Sequence, residues 1–265
     1  MKKYLFMTVA TLALFSCSNS EENGGTVNFE SRSAGFEMNY VECSTGQRAS
    51  DAYTYMSFES SDFRKLVEKS GGDMAKIFEA FEIPADVLKK MSTKGIIQSY
   101  AEYPFFNDLN IYPSLRSYVQ NAFRNMNIAK ELMGRKDAGQ TLLELYKAFS
   151  DGCVSEGKSP QYISVLVSVP EICSTLSDAE KKAFVAEVLR KDALCQQFYA
   201  DGTARANSSL IYVCGKLLQA AKYQPMLDLI NADSEINEFL NEHPIPVGIP
   251  DHIGEIKKIG NVFIQ

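Results

Sequence analysis

Apolar side chains recur three and four positions apart over most of the chain after residue 60, the spacing of one helical face. Most of these runs open on a residue suited to starting a helix. Ser61-Asp62 precedes FRKLVEK, and Gly71-Gly72 supplies its stop. Asp73 precedes MAKIFEAF, Pro84 opens ADVLKKM, Ser92 precedes TKGIIQSYAEY, and Pro113 opens SLRSYVQNAF. Asp137 precedes AGQTLLELYKAF, where Leu142, Leu145, Tyr146 and Phe149 share a face. Ser159-Pro160 then opens QYISVLVSV, Pro170 opens EICSTL, and Ser177 to Glu180 forms a capping-box pattern before KKAFVAEVLRK. Pro225 opens MLDLIN, and Ser234 precedes EINEFLNEH. The longest helix is predicted within Thr203 to Tyr223, with Leu210, Val213, Cys214, Leu217 and Ala221 as its buried stripe.

About ten short amphipathic helices make the fold all-α, either a HEAT-like α-α solenoid or a compact bundle. No repeat of fixed period stands out to choose between them. The helical domain is expected over 61–241. Before it, TVNF and FEMNYVEC alternate apolar and polar residues, so 27–60 reads as an extended or β-like lead-in. After it, 242–265 carries three prolines and reads as an irregular C-terminal strap, with Asn261 to Gln265 docking as a strand or extended piece.

The first residues form a different pattern. Lys2 and Lys3 precede an apolar run, Tyr4 to Phe15, which is shorter than the about 20 residues that span a bilayer. Leu14-Phe15-Ser16-Cys17 follows and resembles the lipobox of bacterial lipoproteins. The resemblance implies a signal peptide at 1–16, lipid on Cys17, and a tether over 17–26. Phe15 departs from the small or β-branched residue usual at its position. Glu21 and Glu22 resemble the acidic export tag of surface lipoproteins of the Bacteroidetes, which implies an outer-membrane protein facing the cell exterior; a periplasm-facing protein is the alternative.

The stretch MSTKGIIQSYAEYPFFND (Met91 to Asp108) is dense in rings. With NIAKELMGR (Asn127 to Arg135) and KDAGQTLLELYKAF (Lys136 to Phe149), it resembles a recurring module of secreted proteins and lipoproteins of the Bacteroidetes. That family carries no established activity. The resemblance therefore implies location and helical architecture and adds no catalytic residue. Read physically, Ser92 caps, Pro104 stops the helix, and the rings pack inward. The competing reading puts Tyr100, Tyr103 and Tyr112 on a ligand-facing platform that stacks against a sugar.

Charge narrows the partners. The chain has 27 basic and 33 acidic residues, for a formal charge of −6. Removing Lys2 and Lys3 with the leader leaves 25 against 33, near −8. An acidic surface repels phosphate backbones, so nucleic acid is not an expected partner. No metalloprotease, nucleophile-elbow, phosphate-loop or dinucleotide motif occurs. Ser155-Glu156-Gly157-Lys158 has the S-x-x-K spacing, but its flanking glycines place it in a loop. His243 and His252 read as solvated loop residues, and a metal would need Asp251 or Glu242 beside them. No cofactor is expected.

Cys43, Cys153, Cys173, Cys195 and Cys214 remain after Cys17, an odd number that leaves at least one unpaired. Cys173, Cys195 and Cys214 lie among apolar helical positions, so buried thiols are the default. Cys153 with Cys173, or Cys195 with Cys214, are the candidate bridges. The expected function is a lipid-anchored envelope module that binds a glycan or a protein. The alternatives are an envelope hydrolase acting on polysaccharide or peptide, and a structural accessory subunit.

Overall fold

The structure is a computed structural model that describes Cys43 and residues 46–155, 160–198, 205–242 and 252–265. The leader with Cys17, the alternating segments before residue 43, His243 and the proline run lie outside the described residues. Among those described there are helices and no β-strand.

The chain divides into two compact units. The described part of the smaller is Met56–Phe81. It holds α1 (Ser61–Ser70) and α2 (Met74–Ala80). The Ser60 hydroxyl accepts the Phe63 N–H, placing the α1 cap one residue ahead of the expected Ser61. Gly71 and Gly72 take φ of 63° and 76°, a left-handed turn that glycine adopts without steric cost. Their N–H groups donate to the Glu68 and Val67 carbonyls. Asp73 then accepts the Ala75 N–H and starts α2. The rings of Phe58, Phe63 and Phe81 meet at centroid distances of 5.0 to 6.1 Å and give this unit its own apolar cluster.

The larger unit begins with α3 (Ala85–Leu88), α4 (Thr93–Ala101), a 3-10 turn at Phe106–Ile111, and α5 (Leu115–Asn121). It continues through α6 (Asn127–Met133), α7 (Ala138–Ala148), α8 (Asp151–Ser155), α9 (Gln161–Val167) and α10 (Pro170–Cys173). It ends with α11 (Asp178–Phe198), α12 (Arg205–Ala220), α13 (Gln224–Ala232), α14 (Ser234–Asn241) and α15 (Ile253–Phe263). Caps explain many of these boundaries. Ser92 accepts the Gly95 N–H, and Ser114 accepts the Ser117 N–H. Ser177 and Glu180 exchange both bonds of a capping box, with the Ser177 N–H donating at 2.7 Å and the Glu180 N–H at 3.3 Å. Asp233, not Ser234, caps α14 by accepting the Glu235 and Ile236 N–H groups. Asp137 precedes α7 without capping it. Its carboxylate instead accepts the Thr93 hydroxyl at 2.7 Å and ties the start of α7 to the start of α4.

Two expectations change. The longest described helix is α11, at 21 residues, and not α12, at 16. Lys191 and Asp192 interrupt the apolar spacing of α11, yet both are buried and the helix runs through them. The tail is also not irregular throughout, because α15 occupies Ile253–Phe263. The last proline is Pro250, so nothing in the final residues breaks a helix, and Ile256 and Gly260 seat one face.

α12 is the hub of the larger unit. α9, α10, α11, α13, α14 and α15 all pack against it, and the α11–α12 contact is the most extensive. Leu210, Ile211, Tyr212, Val213, Cys214, Leu217 and Leu218 are all buried, so α12 is covered nearly all round. Its six partners are the three helices before it and the three after it in the chain, so the packing of this unit is sequential around α12. α15 returns onto α11 and α12. Gly260 permits that approach, since a Cβ there would sit 2.9 Å from the Cys214 Sγ.

The described lead-in, Gly46–Tyr55, is a belt along α4. The Ala49 N–H donates to Gln98 Oε1 and the Tyr53 N–H donates to Ser99 Oγ, each at 2.7 Å. Arg48 makes a two-nitrogen fork on Glu102 at 2.9 to 3.1 Å and also reaches the Tyr53 carbonyl. Asp51 accepts both the N–H and the hydroxyl of Ser92. At the upstream end the Ser150 N–H donates to the Cys43 carbonyl, and a disulfide joins Cys43 to Cys153.

Candidate functional site

The three expected ligand-facing tyrosines do not share a surface. Tyr100 is 0% exposed. Its ring lies edge-on to Phe106 and Phe123, and its hydroxyl is 3.2 Å from that of Tyr118. Burial and the neighbouring tyrosines push the Tyr100 phenol well above its ordinary pKa. Tyr100 is therefore a core residue and presents no ring face to a ligand. Tyr112 is half-buried against Tyr118, at 5.4 Å between centroids.

Tyr103 belongs to another group. Its ring meets Tyr55 at 5.5 Å and Phe105 at 5.7 Å, and Tyr55 meets Tyr53 at 5.1 Å. All four rings are half-buried, and the Arg48–Glu102 pair lies beside them. Burial, then the adjacent tyrosines, then Glu82 and Glu102 raise the Tyr55 phenol, so it stays neutral at physiological pH. Phenol hydroxyls, apolar ring edges and one ion pair can stack on a ring or a chain segment and hydrogen-bond to it. They offer no general base and no nucleophile poised for attack.

The densest ionic group is structural. Lys191 is 0% exposed, and its Nζ donates to the Phe149 carbonyl at 2.6 Å. Glu187 and Asp151 stand at 3.3 and 3.4 Å from the same nitrogen, and the rings of Tyr146 and Phe149 face it. Arg190 forks onto both carboxylates. Its hydrogen bond holds the Asp151 carboxyl below the ordinary range. Burial pushes Glu187 up, but Arg190 and Lys191 outweigh it and the carboxyl lies low. Every charge here is answered by another, and the lysine is sealed from any substrate.

The remaining candidates are apart. The His252 Nδ1 is 3.0 Å from the Asp233 carboxylate, at the start of α14. Glu242 pairs with Arg116 at 2.7 Å, and Asp251 is outside the described residues. No group of three or more His, Cys, Asp or Glu side chains placed to hold a metal occurs among the described residues. Ser155 ends α8 and donates to the Gly152 carbonyl; the rest of its motif is outside the described residues.

The bridge is Cys43–Cys153, with a Cα–Cα distance of 5.8 Å, and neither expected pairing forms. Cys173, Cys195 and Cys214 are buried free thiols. Burial raises them to about 12, about 11 and about 12, so they carry little thiolate at neutral pH. Sequence reasoning missed the bridge because its partners are 110 positions apart. It also missed the belt. The signal was there in Gly95, Gln98, Ser99 and Glu102, a small and polar stripe on α4.

No protein-family model matches this chain, and no curated protein or solved structure shows significant similarity to it.

Proposed function

We propose that the chain is a lipid-anchored envelope protein that binds a partner and performs no chemistry on it. Cys17 is its lipidation site, and the outer membrane, facing the cell exterior, is its location. The observation that carries the reading is the Cys43–Cys153 bridge, because such bonds persist in oxidising compartments outside the cytosol. The lipobox-like Leu14-Phe15-Ser16-Cys17 points the same way. No described helix is long and apolar enough to cross a membrane. The contact surface is the half-buried group of Tyr53, Tyr55, Tyr103 and Phe105 with Arg48 and Glu102, which suits a glycan or a protein segment.

The anchor is tested in cells fed a labelled fatty acid. Wild-type chain should carry the label and respond to a lipoprotein signal-peptidase inhibitor, and Cys17→Ala should lose both. A Cys17→Ala chain that stays in the membrane fraction counts against the reading. For the surface, Tyr103→Ala should weaken capture of an envelope glycan or protein ligand by about tenfold, the loss expected from one stacking ring at about 1 to 1.5 kcal/mol.

A further inference from the structure

We propose that the belt is a redox-released latch: a dithiol that opens Cys43–Cys153 frees Gly46–Tyr55 from α4 while the helices around α12 stay folded. Within the belt only Ala52 is fully buried, and Tyr53 and Tyr55 are half-buried at the edge of the core. Its other holds are polar: the Ala49 and Tyr53 N–H bonds, the Arg48 fork on Glu102, and the Asp51 bonds to Ser92. Water competes well for each of these, so their net contribution is small. The bridge makes the difference by keeping the belt at high effective concentration over its groove. The helices around α12 pack mainly on one another, and Tyr53 and Tyr55 lie only at the margin of the apolar core they share.

The groove is built for this occupant and for little else. Gln98 and Ser99 are fully buried beneath the belt, and Ser99 both accepts from Tyr53 and donates to the Gly95 carbonyl. Gly95 leaves room for Asp51, whose carboxylate a Cβ would displace. Opening therefore exposes the Gln98 and Ser99 acceptors, which receive backbone N–H groups from either side of the Ala49–Ala52 turn.

The chemistry balances with a dithiol as reductant. Cys43 is 1% exposed and Cys153 is half-buried, the more accessible of the two, so a dithiol thiolate attacks the Cys153 sulfur. The S–S bond breaks, and Cys43 leaves as thiolate and takes a proton from water. The second thiol of the reductant then displaces Cys153, leaving two protein thiols and one oxidised dithiol.

Hydrogen exchange on the full chain tests the latch, with the oxidised protein compared before and after dithiothreitol. Reduction is confirmed by a mass gain of two hydrogens. The Ala49 and Tyr53 amides should exchange about tenfold faster or more after reduction, while α11 and α12 keep their protection. Cys43→Ser without reductant should show the same pattern. Unchanged exchange at Ala49 and Tyr53 overturns the proposal. Loss of protection in α11 and α12 in step with the belt, or a Cys43→Ser chain that fails to fold, makes the bridge a staple of the whole unit and overturns it equally.

Discussion

Lys191 is the residue on which the most depends locally. Its amine sits inside the larger unit with a carbonyl, two carboxylates and two ring faces around it. Removing one member of a buried ionic group leaves the others unanswered, so Lys191→Met should cost about 3 kcal/mol in urea unfolding at neutral pH. The same cluster sets an acid response. Asp151 and Glu187 lie below their ordinary values when folded. The unfolded chain therefore takes up protons first as pH falls. Their stabilisation is complete above the ordinary carboxylate range and is lost as pH drops through the depressed folded values. Asp192 works the other way: burial raises its carboxyl despite Lys257, so its contribution falls as pH rises through that value. The unfolding midpoint should decline between about pH 5 and pH 2, and Arg190→Gln should flatten that decline. Lys222 offers a change of opposite sign. It closes α12 at φ 51°, with the Tyr223 N–H donating to the Leu218 carbonyl, a position that suits glycine. Lys222→Gly should raise stability by about 0.5 to 1 kcal/mol, measured as a higher melting temperature.

Among the elements, those with a local cause were legible. The capping box at Ser177, the left-handed turn at Gly71 and the prolines opening α10 and α13 each fix a boundary by the geometry of neighbouring atoms, and neighbours are adjacent in sequence. What escaped depends on distant partners. Lys191 and Asp192 look like a break in α11 until Phe149, Asp151 and Lys257 arrive to answer them. Asp137 looks like a cap but bonds across to Thr93. Tyr100 and Tyr103 look equivalent, yet the 3-10 turn after Pro104 folds Phe106 onto the first and leaves Phe105 beside the second. The cover over the polar face of α4 was not legible because the belt comes from about fifty positions upstream. At this scale the close approach of α15 can be tested directly. Gly260→Ala would crowd Cys214 and Leu189 and should destabilise by about 1 to 3 kcal/mol, seen as early loss of α15 protection in hydrogen exchange.

For the whole molecule, the cysteine chemistry gives a signature. Cys173, Cys195 and Cys214 are buried and carry raised pKa values, so iodoacetamide should leave them unmodified in the native protein. After unfolding without reductant those three should alkylate while Cys43 and Cys153 stay protected, and reduction should add the remaining two. The crosslink also changes how the chain breaks. It closes a covalent ring that includes the α1–α2 unit and α3 to α7. A protease that nicks the backbone once inside the ring releases no fragment. The cut protein should migrate as a single band on a non-reducing gel and separate into two pieces only when a thiol is added.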